Sequence, residues 1–282
     1  HHHQRRAGTG AAAGGRGLRR HHGSGGVMAD AATLPTNKDE DWRYSDGAFL
    51  KAADAEKIGH WRELNVPAGE TRSEYRNHDA GTDAPGFVDR LRVTVGKGGR
   101  FEAFHTIAGG RYSRVEIDVT LAEGAHFEFG GVTLGGGDTV QEFVTRTQHA
   151  HPYATSNQVV RAVQWGQSVG NFLGRIEVAR DAQKTDAGQN FRAILLKKGA
   201  SANTKPELEI YADDVLCAHG AAIGQLDEQA AYYMAARGIP PVTARKLLIQ
   251  AFIGDAFEAI ADDATRERMQ DAALRELEGA TL

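Results

Sequence analysis

The one thiol of the chain lies two residues from an imidazole, in Cys217-Ala218-His219. Thiolate and imidazole are the usual ligands for iron, zinc and iron–sulfur chemistry. On a strand, residues i and i+2 point to the same face, so Cys217 and His219 can converge on one ligand. Two ligands do not hold a cluster by themselves, so a partner chain would have to complete the site. The alternative is a buried structural cysteine beside a hydrogen-bonded histidine. Three other groupings invite chemistry and answer to plainer explanations. Asp213-Asp214 are adjacent, which on a strand aims them at opposite faces and argues against an acid–base dyad. His149 and His151 are spaced to share a strand face, but no third ligand is near in sequence. Gly135-Gly136-Gly137-Asp138 is not followed by Gly-Lys-Ser/Thr, so it reads as a turn and not as a phosphate loop. The chain itself is therefore not expected to hydrolyse ATP.

Bulk properties narrow the classes. The chain has 282 residues, 41% hydrophobic and 25% charged, with a formal net charge of −4. That balance fits a globular protein and gives no reason to expect nucleic-acid binding. No run of 18 apolar residues suggests a membrane span, and no secretory signal pattern is visible. A single cysteine rules out an intrachain disulfide and fits a reducing compartment, so a cytoplasmic location is expected. Residues 1–30 read as an expression tag and linker, with Met28 as the natural start. Five of the twelve histidines lie there.

The elements that must position Cys217 and His219 follow from periodicity. Residues 31–86 read as a short helical segment over 35–63 and then a polar linker over 67–86. Thr36 or Asn37 is the candidate cap, ahead of Asp39, Glu40 and Asp41. From Phe87 the period becomes two. Leu91, Val93 and Val95 alternate with polar residues, as do Val115, Ile117, Val119 and Leu121. An internal repeat is present, because residues 93–102 resemble residues 119–128 at an offset of 26, with five of ten positions identical. A strand-rich repeat of that length favours a solenoid over a β-sandwich. Residues 87–226 are thus the expected β-helix core. No long helix interrupts residues 87–222, which excludes a doubly wound α/β fold.

Helical periodicity takes over in residues 227–282. Asp227 is the expected N-cap of a first helix, with Gly238 its stop, and Pro240-Pro241 break the chain. A second helix is expected from Val242 or Thr243 to about Ala261. Its apolar stripe would be Leu248, Phe252 and Ile260, flanked by Leu247, Ala251 and Phe257. A third helix should run from about Asp263 to Glu278.

The block Lys205-Pro206-Glu207-Leu208-Glu209-Ile210-Tyr211-Ala212-Asp213-Asp214-Val215-Leu216-Cys217-Ala218-His219-Gly220-Ala221-Ala222-Ile223-Gly224-Gln225-Leu226-Asp227 closely resembles the C-terminal signature of the SufB/SufD family. Further matches are Gly174-Arg175-Ile176, Ala182-Gln183-Lys184-Thr185-Asp186-Ala187, Arg237-Gly238-Ile239, and His149 with Pro152, Ser156 and Gln158. Pro35-Thr36-Asn37-Lys38-Asp39-Glu40-Asp41-Trp42-Arg43-Tyr44 resembles the family's N-terminal motif. Pro206-Glu207-Leu208-Glu209-Ile210 points to the SufD branch. The resemblance implies a mainly β fold, a right-handed parallel β-helix with a short N-terminal helical segment and a C-terminal helical segment. It implies a non-enzymatic scaffold subunit of the SUF iron–sulfur cluster assembly complex, pairing with a SufB-like subunit and docking a SufC-like ATPase.

It also places Cys217 and His219 at the partner interface, as ligands only with a partner chain. A transient iron–sulfur cluster would sit there, with no cofactor tightly bound to the isolated chain. Arg237, Gly238, Ile239, Pro240, Leu248 and Phe252 become the expected ATPase dock, since a rigid Pro-Pro turn beside an apolar stripe suits a helix-in-groove contact. About 100 residues separate Trp42 from His149, fewer than the family suggests, so an abbreviated early region is expected. Two rivals differ in class. One is a self-sufficient homodimeric iron-binding module, and a homodimer of the lone chain is plausible through exposed end rungs. The other is a β-helix carbohydrate-active enzyme, which would need a carboxylate cluster on one face.

Overall fold

The computed structural model describes residues 40–42, 58–79 and 84–280. The segment read as a tag, the candidate caps Thr36 and Asn37, and most of the N-terminal motif lie outside the described residues. Strand-forming alternation in this chain produces twelve strands that visit two sheets in turn. One sheet holds β1 (Arg62–Val66), β3 (Gly86–Val95), β5 (Tyr112–Leu121), β7 (Val140–His149), β9 (Val169–Val178) and β11 (Ser201–Ile210). The other holds β2 (Thr71–Asp79), β4 (Arg100–Ala108), β6 (His126–Gly135), β8 (Thr155–Gln164), β10 (Asp186–Leu195) and β12 (Leu216–Gly224). Every pairing is parallel and joins strands two apart in order. The result is the expected parallel β-helix.

The internal repeat is a pair of adjacent rungs. Val93 pairs with Val119 and Val95 with Leu121. On the facing sheet Phe101 pairs with Phe127 and Glu102 with Glu128. The two phenyl rings stack 5.9 Å apart at 6°. Gly98 and Gly124 hold the same turn position with φ of 65° and 66°, a region L side chains rarely enter.

The β-helix starts ahead of Phe87, at Arg62, and the expected linker over 67–86 contains β2. The reason is that β2 is an edge strand, mostly exposed on both faces. It therefore lacks the apolar alternation that marks a half-buried strand. Within the expected helical segment, the described residues show a 3-10 turn at Glu40–Trp42 and a helical turn at Ile58.

Three helices follow β12: α1 (Glu228–Ala236), α2 (Pro241–Gly254) and α3 (Asp263–Glu276). Asp227 caps α1 by accepting from the Ala230 amide at 3.0 Å, and Gly238 ends it with φ of 87°. The second helix stops short of Ala261, giving way to a 3-10 turn at Asp255–Phe257. The face that packs inward is Ala244, Ile249 and Ile253, continued by Ala256, Phe257 and Ile260. Leu247 and Ala251 face solvent, while Leu248 and Phe252 are half-buried.

Three layers of packing result. Phe101, Phe127, Phe129, Phe143, Phe172 and Phe191 fill the interior between the sheets. The helices cover the outer face of the β2–β12 sheet through Phe104, Val132, Leu134 and Val163. There the 3-10 turn lies so close that a Cβ on Gly130 would stand 1.8 Å from the Ala256 carbonyl oxygen. On the outer face of the other sheet, Trp42 covers a buried charge ladder. Its ring stacks on Arg114 at 3.6 Å, and Asp41 meets Arg146 at 2.6 Å. Fully buried Arg114 bonds Glu116 at 2.6 Å and Glu142 at 3.0 Å. Of the expected N-terminal motif, the described residues thus act as a clamp on this ladder.

Candidate functional site at the last rung

The chain's last two strands, β11 and β12, end their respective sheets. Among the described residues no further strand pairs with their outer edges. An unpaired edge is a template for another strand unless it is blunted or covered. This one carries an apolar surface: Tyr211 is 66% exposed, Leu216 71% and Ile223 46%.

Cys217 and His219 both lie in β12, in register with Ala187 and Gln189 of β10. Since Ala187 and Gln189 are buried, the shared strand face is the one that continues the interior of the β-helix. Cys217 is half-buried and packs against the cluster of Ile176, Val178 and Ala212. Burial, with the Asp186 carboxylate adding to it, pushes the Cys217 thiol up, so it rests as a thiol at neutral pH. His219 is exposed. Neither belongs to a group of three metal-binding side chains among the described residues. A third ligand at this rung has to come from elsewhere.

Around the turn after α1, Arg237 stacks over the Tyr233 ring at 4.3 Å. Arg237, Gly238 and Pro240 are exposed and Ile239 is half-buried. Phe252 lies beneath Arg161 at 5.6 Å and joins the packing onto the sheet, as Leu248 does not. A cleft between β10 and α1 is lined by Lys197, Lys198, Tyr232, Pro241 and Arg245. Pro241 and Arg245 thus border the end of β10, while Phe252 packs over β8 as part of the chain's own core.

The other groupings take plainer places. Asp213 and Asp214 are exposed, and Lys184 of the preceding rung's turn pairs with Asp214 at 2.5 Å. His149 is buried at the end of β7 and bonds the Ser156 hydroxyl at 2.9 Å. His151 lies beyond the strand in an exposed turn, so the two do not share a face. The Gly135–Asp138 run forms the turn from β6 to β7. One convergence has no signature in spacing. His78, Asp89 and His105 come together from three strands, and reading 67–86 as a loop hides the first of them.

Comparison with known proteins bears on the family. A family model described as "SUF system FeS cluster assembly, SufBD core domain" matches residues 75–252. An iron-sulfur cluster assembly SufBD family protein of Synechocystis is 35% identical over 171 residues, 60% of this chain and 37% of that protein. Protein ABCI7, chloroplastic, of Arabidopsis thaliana is 42% identical over 124 residues, 43% of this chain and 26% of that protein. Iron-sulfur cluster assembly protein SufD of Escherichia coli is 36% identical over 127 residues, 44% of this chain and 30% of that protein. The matched stretches therefore span less than half the length of these relatives. No helix among the described residues is long and apolar enough to cross a membrane.

Proposed function

Because the chain belongs to the SufB/SufD family of iron–sulfur cluster assembly proteins, we propose that it is a SufD-type scaffold subunit whose last rung pairs with a SufB-like chain. The observation that supports this most is the apolar edge of β12, paired by no further strand among the described residues, with Cys217 and His219 on the strand face that continues the interior of the β-helix. A partner strand added to β12 satisfies its free amides and carbonyls and supplies the missing ligands. A nascent cluster is then cargo held between the two chains, not a resident cofactor of this one. His219, exposed and basic, is the first ligand from this side. Cys217 joins it once partner charges or iron draw off its proton.

The turn Arg237-Gly238-Ile239-Pro240 and the exposed part of α2 are read as the dock for a SufC-like ATPase. Nucleotide-driven movement there would reach β12 through α1, which follows it directly. The lone cysteine suits a reducing compartment such as the cytoplasm. Without a partner, the same edge serves a homodimer.

The test is co-purification with SufB-like and SufC-like proteins. Leu216→Asp should release the SufB-like chain and Ile239→Asp the ATPase, each leaving the other bound. His219→Ala should keep both partners yet lose cluster maturation. If the unaltered chain retains neither partner, the scaffold reading fails.

A further inference from the structure

At the end opposite Cys217, the interior of the β-helix is polar. The positions of β2 that pair with inward-facing Ala103, His105 and Ile107 are Glu74, Arg76 and His78. Asp89 reaches in from β3 and Arg62 from β1. His105 is fully buried, and its Nδ1 faces His78 Nε2 at 2.9 Å. Its other nitrogen, Nε2, meets Glu74 Oε2 at 3.1 Å. A ligand oxygen of Asp89 lies within 4.8 Å of both imidazoles. Arg62 bonds both Asp89 oxygens, at 2.9 and 3.0 Å, and Glu74 at 2.9 Å. Arg76 approaches Glu74 at 2.8 Å and Asp89 at 3.7 Å. Phe87 stacks on the His78 ring at 4.6 Å.

We propose that His78, His105 and Asp89 form a binding site for one divalent first-row transition-metal ion, with Glu74 as a positioning residue for His105. Two imidazole nitrogens at about 2.1 Å from one ion lie roughly 3.0–3.4 Å apart, so the pair needs little movement to admit it. A carboxylate behind the second ring nitrogen is how metal-binding histidines are usually oriented. With Glu74 accepting from Nε2–H, His105 presents a lone pair on Nδ1. In the ion's absence that lone pair accepts from His78 Nε2–H. Ion binding asks only that His78 carry its proton on Nδ1 instead, so no net proton is gained or lost. Two imidazoles and one carboxylate suit Zn²⁺ or Fe²⁺ and leave positions open to water. Asp89 gives one oxygen to the ion and keeps the other for Arg62. Two guanidiniums match the two carboxylates, so no surplus negative charge helps the ion bind. Removing one of the two positive charges should therefore tighten it.

This site lies within one chain and stands apart from the scaffold reading. The test uses the full chain with His1, His2, His3, His21 and His22 replaced by serine, so that they bind no metal. Zn²⁺ uptake is measured by competition with a chromophoric chelator, and Co²⁺ absorption reports the ligand set. One equivalent is expected, with visible bands of imidazole–carboxylate coordination. His78→Ala should weaken binding at least tenfold and Asp89→Asn severalfold. Arg76→Gln should tighten it severalfold, and the Cys217→Ala, His219→Ala double variant should leave it unchanged. Absence of a stoichiometric site overturns the proposal, as does binding that His78→Ala leaves intact or that the double variant abolishes. If His78→Ala does not fold, Arg76→Gln decides, and binding no tighter than that of the parent overturns the proposal.

Discussion

Gly130 is where the helical segment rests on the β-helix, and Gly130→Ala tests that contact directly. A Cβ there would meet the Ala256 carbonyl oxygen at 1.8 Å and the Phe104 ring at 2.7 Å. Real Cβ contacts stay beyond about 3.0 Å, so the Asp255–Phe257 turn has to retreat by about 1.2 Å or more. Neither neighbour is a flexible side-chain tip, because one is backbone and the other a ring within the core. Overpacking of this kind costs about 1–3 kcal/mol. The upper end is expected here, since retreat also loosens Ile253, Phe257 and Ile260, which are buried on the same face. For a chain of this size that corresponds to a melting point lower by roughly 4–10 °C. Hydrogen exchange should rise across 249–277 while strands β3 to β9 keep their protection. Gly188→Ala is the control, because its nearest neighbour is Asn157 Oδ1 at an ordinary 3.6 Å and no φ strain arises. A Gly130→Ala protein with unchanged melting point and unchanged exchange in 249–277 would refute the packing argument.

Three other perturbations probe the remaining layers. Burial lowers His149 to about 4, so the folded state holds it neutral while the unfolded chain protonates it below about 6.5. Its contribution is present at neutral pH and lost as pH falls, by about 2 kcal/mol between pH 8 and pH 5. Urea midpoints should show that loss in the parent and much less of it in His149→Gln. Glu276 moves oppositely, since burial and a hydrogen bond with Asp79 raise it to about 7. The fold there favours the protonated acid, so the contact of α3 with β2 weakens as pH rises through 7. Proteolysis at the end of α3 should quicken between pH 6 and pH 8, and Glu276→Gln should flatten that dependence. Trp42→Ala removes the ring stacked on buried Arg114 and should cost about 3–5 kcal/mol in chemical denaturation, whereas Trp42→Phe should cost far less.

The fold was legible where each residue's environment is set by one sheet face. Val93 and Val119, or Phe101 and Phe127, repeat because neighbouring rungs impose the same burial on both. The helix ends were legible because Asp227 and Gly238 act through local backbone chemistry. The start of the β-helix was not, since β2 is an edge strand that stays mostly exposed even where α3 touches it, and so carries no apolar period. The stripe of α2 lies one position on from Leu248 and Phe252, at Ile249 and Ile253, and spacing alone does not choose between two adjacent apolar rows. For the site, Cys217 and His219 are two residues apart on one strand and visible as a pair. The set of His78, Asp89 and His105 is assembled by stacking and leaves no mark in local spacing.

The two ends of the β-helix differ in how their edge strands are defended, which bears on where the proposed pairing would occur. At the first end, β2 reads Thr-Arg-Ser-Glu-Tyr-Arg-Asn-His-Asp, with four charged residues on an exposed edge. Charges on an edge deter a second strand, because pairing would bury them. At the last end, β11 carries Lys205, Pro206, Glu207 and Glu209, which blunt it in the same way. β1 carries Arg62 and Glu63, so among the described edge strands β12 alone is undefended: Leu-Cys-Ala-His-Gly-Ala-Ala-Ile-Gly has no charged side chain over nine residues, and small residues let a partner backbone approach. Ala222 is exposed on that strand, so Ala222→Lys should leave the monomer folded while abolishing association, with a copy of itself or with a SufB-like chain. Tyr75→Lys on the already charged β2 should leave association intact. Sedimentation of the two variants separates the ends. Association that survives Ala222→Lys but fails with Tyr75→Lys would place the interface at the first rung and remove the proposed partner from Cys217 and His219.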